Sequence, residues 1–318
     1  MLKVFDVLVV GELNVDLVLN QLNSFPQKGK EILANNMLLT LGSSSAIFAS
    51  NLSVLGTKVC FVGKIGADQF GDLVLKTLQD KGVDTRYVIV SHNVSTGITV
   101  ALSYENERAM VTYQGAMADL DESEISDEIL QSSRHLHVSS IFLQPSLKMG
   151  LKNLFQRAKK AGMTTSLDTQ WDPEEKWDYD WNSLLPLVDL FMPNVEELKN
   201  ITGQDSIESC IDKIKDISNT IIIKRGIEGS VAWDKGRIIN QLPFLNTEVK
   251  DTIGAGDSFN AGFIHKFIRK KPLKECMEFG ALCGAINTTA YGGTTAFTTK
   301  KEIQKIALNL FKYSCDDL

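Results

Sequence analysis

Basic charge, paired cysteines and long apolar runs are all scarce in this chain, and each scarcity removes a class of function. Of 318 residues, 33 are Lys or Arg and 39 are Asp or Glu, a formal net charge of −6. Acid in excess, with no long Lys/Arg run, argues against a nucleic-acid partner. No stretch approaches the roughly 20 apolar residues of a membrane span, so no membrane partner is expected. The apolar N-terminus is interrupted by Asp6, Glu12 and Asp16, unlike the centre of a signal peptide, so a mature, cytoplasmic start is expected. Cys60, Cys210, Cys276, Cys283 and Cys315 are odd in number and form no C-x-x-C pair, which reads as reduced, mostly buried thiols. The histidines (His92, His135, His137, His265) show no zinc spacing. His135 and His137 flank Leu136 with the alternation of a strand, which puts two rings on one sheet face. Without repeats, low-complexity tracts or a Pro/Ser-rich linker, residues 1–318 read as one continuous domain with insertions.

What is present is an alternation of strands and helices. Short apolar runs at Val7–Val10, Val59–Val62, Thr164–Asp168, Leu190–Met192 and Thr220–Lys224 read as buried parallel strands. Helical periodicity over Ser44–Leu55, Leu147–Ala161, Ala255–Arg269 and Leu273–Ala290 supplies their covers. The fold class is therefore α/β, a mostly parallel central sheet with helices on both faces. Two stretches, at about 12–40 and 95–115, have a period of two instead. Thr99–Tyr104 and Arg108–Tyr113, joined by Glu105-Asn106-Glu107, predict a hairpin. Together these insertions predict a small β-sheet lid over the main sheet.

The densest chemistry lies in Asp251-Thr252-Ile253-Gly254-Ala255-Gly256-Asp257-Ser258-Phe259-Asn260-Ala261-Gly262-Phe263. Gly254, Ala255 and Gly256 are small residues at a helix start, where backbone N–H groups and the helix dipole make an anion site. Asp257 follows inside the first turn. An acid beside an anion hole makes sense if it takes a proton from a hydroxyl while the N–H groups hold a transferring phosphoryl group.

This run resembles the C-terminal motif of the ribokinase-like (PfkB) carbohydrate kinases, and other segments fall in the order of that family. Val9-Val10-Gly11-Glu12-Leu13-Asn14-Val15-Asp16 resembles its first strand and substrate loop. Phe61 to Gly71 resembles its G-x-V-G-x-D-x-F-G run, and Gly82-Val83-Asp84-Thr85 its continuation. Pro193-Asn194-Val195-Glu196-Glu197 contains N-x-x-E, and Lys224-Arg225-Gly226-Ile227-Glu228-Gly229 resembles the nucleotide loop. The resemblance implies an ATP- and Mg²⁺-dependent sugar kinase of ribokinase/fructokinase type. Asp257 would be the general base, with Gly254, Ala255 and Gly256 as the anion hole. Asn194 and Glu197 would organise Mg²⁺, Glu197 through water, because Mg²⁺ sheds its waters reluctantly. Lys224, Gly226 and Gly229 would line ATP, and Asn287 its adenine pocket. Asn14, Asp16, Gly42, Ser43 and Arg108 would face the sugar. Some relatives hold K⁺, for which Asp251 is the candidate here. Relatives' lids often pair into homodimers.

The sequence departs from the family where it meets the acceptor. Ser43 stands at the second glycine of Gly-Gly, and Ile47 where an Asn is usual. Asp172 replaces the Arg of the D-x-N-x-R run of sugar-acid kinases, which argues against a carboxylated substrate. Arg108, in the expected hairpin, could reach a substrate, although a solvated hairpin charge is the plainer reading. Trp171, Trp177 and Trp181 offer a sugar platform, although burial beneath a loop is the plainer reading. No Walker A run and no HRD/DFG set is present, so P-loop and protein kinases are excluded. A nucleoside kinase of the same fold, or a non-catalytic sugar- or nucleotide-sensing protein, is the alternative.

Overall fold

The computed structural model describes residues 3–104 and 107–315, without the side chains of 103, 107 and 108. The chain opens with β1 (Phe5–Val10), β2 (Asn14–Leu22), β3 (Ala34–Leu41), α1 (Ser44–Val54), β4 (Val59–Val62), β5 (Lys64–Gly66), α2 (Gln69–Asp80) and β6 (Ile89–Ser91). It continues through β7 (Gly97–Tyr104), β8 (Glu107–Tyr113), α3 (Asp127–Ser132), β9 (Ser133–Ser139), α4 (Pro145–Lys160), β10 (Thr164–Asp168), α5 (Trp181–Leu184), β11 (Leu190–Phe191), α6 (Val195–Thr202) and α7 (Ile207–Ile214). Then follow β12 (Thr220–Lys224), β13 (Ser230–Asp234), β14 (Arg237–Gln241), α8 (Ala255–Phe267), α9 (Leu273–Asn287) and α10 (Lys300–Phe311).

Eight strands form the main sheet in the order β14-β13-β12-β11-β10-β9-β1-β4. The six from β12 to β4 pair in parallel, and the last hairpin adds β13 and β14 antiparallel. Strands covered on both sides need apolar side chains in both directions, and β1 supplies them. Leu8 and Val10 pack with Leu136, Leu151 and Phe155 on the α4 side. Val7 and Val9 pack with Phe48, Phe61 and Phe263 on the side of α1 and α8. His135 and His137 share one face of β9, as their alternation predicts, and both hydrogen-bond Ser166 Oγ, at 2.8 and 2.7 Å. All five cysteines are free and buried.

The two period-2 stretches pair with each other into a second, four-stranded sheet in the order β3-β2-β7-β8. β7 and β8 pair antiparallel as the two expected hairpin strands, the turn residues Glu105 and Asn106 lying outside the described residues, and β2 joins β7 in parallel. Alternation along each strand gives this sheet two unlike faces. Asp16 lies in a row with Thr40, Thr99 and Thr112. Its sequence neighbour Leu17 lies on the opposite face, in a row with Leu39, Val100 and Val111. Among the described residues, no helix is long and apolar enough to cross a membrane.

Candidate active site

In an open parallel sheet, ligands gather beyond the carboxyl ends of the strands. Glu12 follows β1, Asp168 ends β10, Asn194 follows β11 and Lys224 ends β12. The N-termini of α1 and α8 meet over this edge, and Ser44 Oγ donates to Asp257 Oδ1 at 2.6 Å.

Helix α8 begins without a side-chain cap. Its N-cap residue is Gly254, at φ +74°, whereas α2, α6 and α10 are capped by Asp68, Asn194 and Thr299. A helix start lacking a side-chain acceptor leaves its N–H groups for a ligand. Glycine is required at 254 on two counts. The backbone is left-handed, and a Cβ would come within 2.7 Å of Gly293 Cα and 3.0 Å of Ile47 Cγ2. Ile47 packs against this loop and against Gly293. Ser43 also has a structural role. It adopts φ +68°, a conformation favouring glycine, and its hydroxyl both caps α1 at Ala46 N and donates to the Glu12 carbonyl.

Asp257 is buried, which together with the nearby Asp168 carboxylate pushes its pKa up to about 7. Around it runs a connected set of polar groups. Lys224 Nζ is paired with Asp168 Oδ2, and Asn260 Nδ2 donates to the same oxygen. Gln170 Nε2 bridges Asp168 Oδ2, at 3.0 Å, and Asp257 Oδ1, at 3.1 Å. Burial works against the Lys224 ammonium, but Asp168 and Glu197 hold its pKa above the ordinary lysine value. Lys224 also borders the anion hole, its Nζ 3.7 Å from where a Gly256 Cβ would be.

Asn194 and Glu197 form a reciprocal capping box on α6. Glu197 N donates to Asn194 Oδ1 at 2.9 Å and Asn194 N to Glu197 Oε2 at 3.0 Å. Burial first, and Asp168 second, raise Glu197 to about pKa 7. Beside them a cavity of about 280 Å³ is bounded by Lys224, Gly226, Gly229 and Gly256 at one end. Apolar Val249, Phe259, Ala281 and Ala285 line it further in. A wider, open groove of about 1430 Å³ shares Asn194 and Lys224 with this site and runs across α6, α7 and β13 to β14.

On the acceptor side, Asn14 Nδ2 donates to Thr99 Oγ1 at 2.8 Å, leaving Asn14 Oδ1 buried with no hydrogen-bond partner among the described residues. A Cβ at Gly42 would overlap the side-chain oxygens of Asp16 and Asn14, so these three expected residues converge.

One expectation falls elsewhere. Asn287 does not border the 280 Å³ cavity. It is wholly buried, accepting from Ser258 Oγ and donating to the Ile253 carbonyl, while its neighbour Thr288 lines the cavity. Arg108 pairs with Ser103 on β8, and its side chain lies outside the described residues. Asp251 accepts from Ile253 N at 3.0 Å and Gly292 N at 2.9 Å, clasping the loop before α8 to the turn after α9. Of the tryptophans, Trp177 is buried against Phe142, whereas Trp171 is 48% exposed. Asp172 accepts the backbone N–H groups of Glu174, Lys176 and Trp177, so it holds its own loop.

Sequence reasoning left Ser44, Asp168, Gln170, Asn260 and Glu12 without roles. The readable signal was position, since Asp168 and Glu12 end or follow parallel strands. The buried carboxylate of Glu12 accepts from Ser45 N and Ser45 Oγ behind α1, and burial raises its pKa.

Comparison with known proteins agrees with this geometry. The chain is 28% identical over 324 residues to 5-dehydro-2-deoxygluconokinase of Bacillus subtilis, with 96% of each chain covered. It is 28% identical over 288 residues to probable fructokinase-4 of Arabidopsis thaliana, covering 83% of this chain and 86% of that one. Its fold superposes on Arabidopsis thaliana ribokinase complexed with ribose and ATP at a TM-score of 0.83, with 25% identity, 99% of this chain and 100% of that one. A sequence model described as "pfkB family carbohydrate kinase" matches residues 4–300. With a strand-edge site that pairs a buried aspartate with an uncapped helix start, the chain belongs to the pfkB family of carbohydrate kinases, ATP-dependent phosphotransferases that act on a sugar hydroxyl.

Proposed function

We propose that the protein transfers the γ-phosphoryl group of ATP in line to a sugar hydroxyl bound between the small sheet and α8, with Asp257 as general base. The observation that carries this reading is the Asp257 carboxylate, buried in the first turn of a helix that no side chain caps. A base with a pKa near 7 is matched to proton removal near neutral pH. The N–H groups of the α8 start, with Lys224, face the place where charge develops on the transferring group. The apolar cavity takes the adenine, and Gly226 and Gly229 let the nucleotide loop approach. Asn14, Asp16 and Gly42 hold the sugar. Binding the acceptor under the small sheet excludes water and favours transfer over hydrolysis.

The residues present fit Mg²⁺. Glu197, Asn194 and Asp168 offer oxygen donors, and Asp168 Oδ1 is buried without a hydrogen-bond partner among the described residues, ready to accept from a water on the ion. When bound there, Mg²⁺ would neutralise phosphate charge. K⁺ fits less well at Asp251, whose two oxygens are engaged by backbone N–H groups, and we give it no part in the transfer.

The outer row of the small sheet (Leu17, Leu39, Val100, Val111) supports pairing with a second copy through this sheet. Val111 is 69% exposed on an edge strand. Light scattering at micromolar concentration checks this, and a monomer would remove it.

The deciding assay is ADP release from Mg²⁺-ATP with D-fructose, D-ribose, 5-dehydro-2-deoxygluconate and adenosine as acceptors. One clear hit names the acceptor. Asp257→Asn should then abolish turnover and spare ATP binding, and substantial residual activity would refute the assigned base.

A further inference from the structure

The two described hydrogen bonds to the Asp257 carboxylate both end on Oδ1. One comes from Ser44 Oγ, at 2.6 Å, in the first turn of α1. The other comes from Gln170 Nε2, at 3.1 Å, two residues beyond the end of β10. Gln170 holds a left-handed backbone, φ +56°, a conformation that strains a non-glycine residue. The side chain leaving this turn reaches both Asp168 and Asp257. Gln170 is thereby anchored at the sheet, since Asp168 Oδ2 is itself fixed by Lys224 and Asn260.

We propose that Ser44 and Gln170 are positioning residues that clamp Oδ1 of Asp257, so that Oδ2 is the oxygen presented to the acceptor hydroxyl. This rests on the reading of Asp257 as base and goes beyond it by naming the working oxygen and what aims it. A carboxylate with both oxygens free rotates about its Cβ–Cγ bond, and only part of its orientations reach the hydroxyl. Two donors on one oxygen remove that freedom before the sugar arrives. In the transfer, Oδ2 takes the hydroxyl proton as the sugar oxygen bonds to phosphorus and the bond from phosphorus to the ADP oxygen breaks. The clamp donors also favour the ionised carboxylate. Ser44 thereby opposes burial, Asp168 and Glu12, which disfavour the charge, and Lys224 acts with it.

The test is steady-state kinetics of Ser44→Ala, Ser44→Thr and Gln170→Ala across pH 5.5–9, using D-fructose or the panel compound that turns over fastest. ATP binding by calorimetry identifies the folded variants. Ser44→Ala and Gln170→Ala should lower kcat at least tenfold at pH 6.5 while leaving KM for ATP within twofold. The acid limb of kcat should move up by about one pH unit, the scale of losing one hydrogen bond to a charged group. Ser44→Thr, which keeps the hydroxyl, should restore the limb. A kcat above the acid limb within twofold of the parent's, or a loss there that Ser44→Thr does not restore, would overturn the proposal. Asp257→Asn measured alongside separates the two readings: activity retained there refutes the base itself, whereas an inactive Asp257→Asn beside unaltered Ser44 and Gln170 variants refutes only the clamp.

Discussion

The buried base should be a burden on stability, and replacing it should reveal how much. Burial and Asp168 raise the Asp257 pKa from 3.8 to about 7. A native carboxyl that holds its proton more tightly than the unfolded chain stabilises the fold fully below pH 3.8, and that contribution is lost as pH rises to about 7. The shift is about 3 units at about 1.36 kcal/mol each, or about 4 kcal/mol in all. Between pH 5.5 and 8 roughly half remains to be lost, about 2 kcal/mol. Asp257→Asn keeps the shape and an oxygen to accept from Ser44 and Gln170, but has nothing to titrate. Its stability advantage over the parent should therefore widen by about 2 kcal/mol from pH 5.5 to 8, or about 3 °C in Tm for a chain of this size. Glu197, also raised to about 7, titrates in both proteins and cancels in the difference. Thermal melts of ligand-free protein at half-unit pH steps measure it. Two Tm curves that run parallel within 1 °C would refute the claim that the Asp257 charge is paid for in folding energy.

Other expectations concern binding. Gly42→Ala would drive a methyl into the Asp16 and Asn14 oxygens, so KM for the sugar should rise at least tenfold with KM for ATP unchanged in two-substrate kinetics. An equal rise in both would refute the acceptor assignment. Ala285→Leu fills part of the 280 Å³ cavity and should give the mirror result, weakening ATP binding at least tenfold by calorimetry while sparing the acceptor.

Much of this molecule was legible from its residues. The sheet could be read because strands buried on both faces must be apolar throughout, as at Val7–Val10 and Thr220–Lys224. The helix start without a side-chain cap could be read because Gly254 to Gly256 followed at once by Asp257 is a local pattern, complete within one helical turn. Gly42, Asn14 and Asp16 were also nominated correctly as neighbours, although about 25 residues separate them. What the sequence left unread needed distance in the chain to be folded away. Asn287 has the composition of a ligand contact, yet only the packing of α9 on α8 shows its amide turned to Ile253 and Ser258. Ile47 looked like a missing sugar contact until Gly254 and Gly293 were seen against it. Ser44, the Asp168–Gln170 turn and Asp257 lie on three separate segments. No periodicity links a serine at a helix start with a glutamine beyond a strand more than a hundred residues later. Local chemistry singles out Asp257 as the candidate carboxylate, because helix starts and strand ends are encoded by neighbours. The aim and proton affinity of that carboxylate come from burial and from charges brought close by long-range packing, and only the tertiary structure decides those.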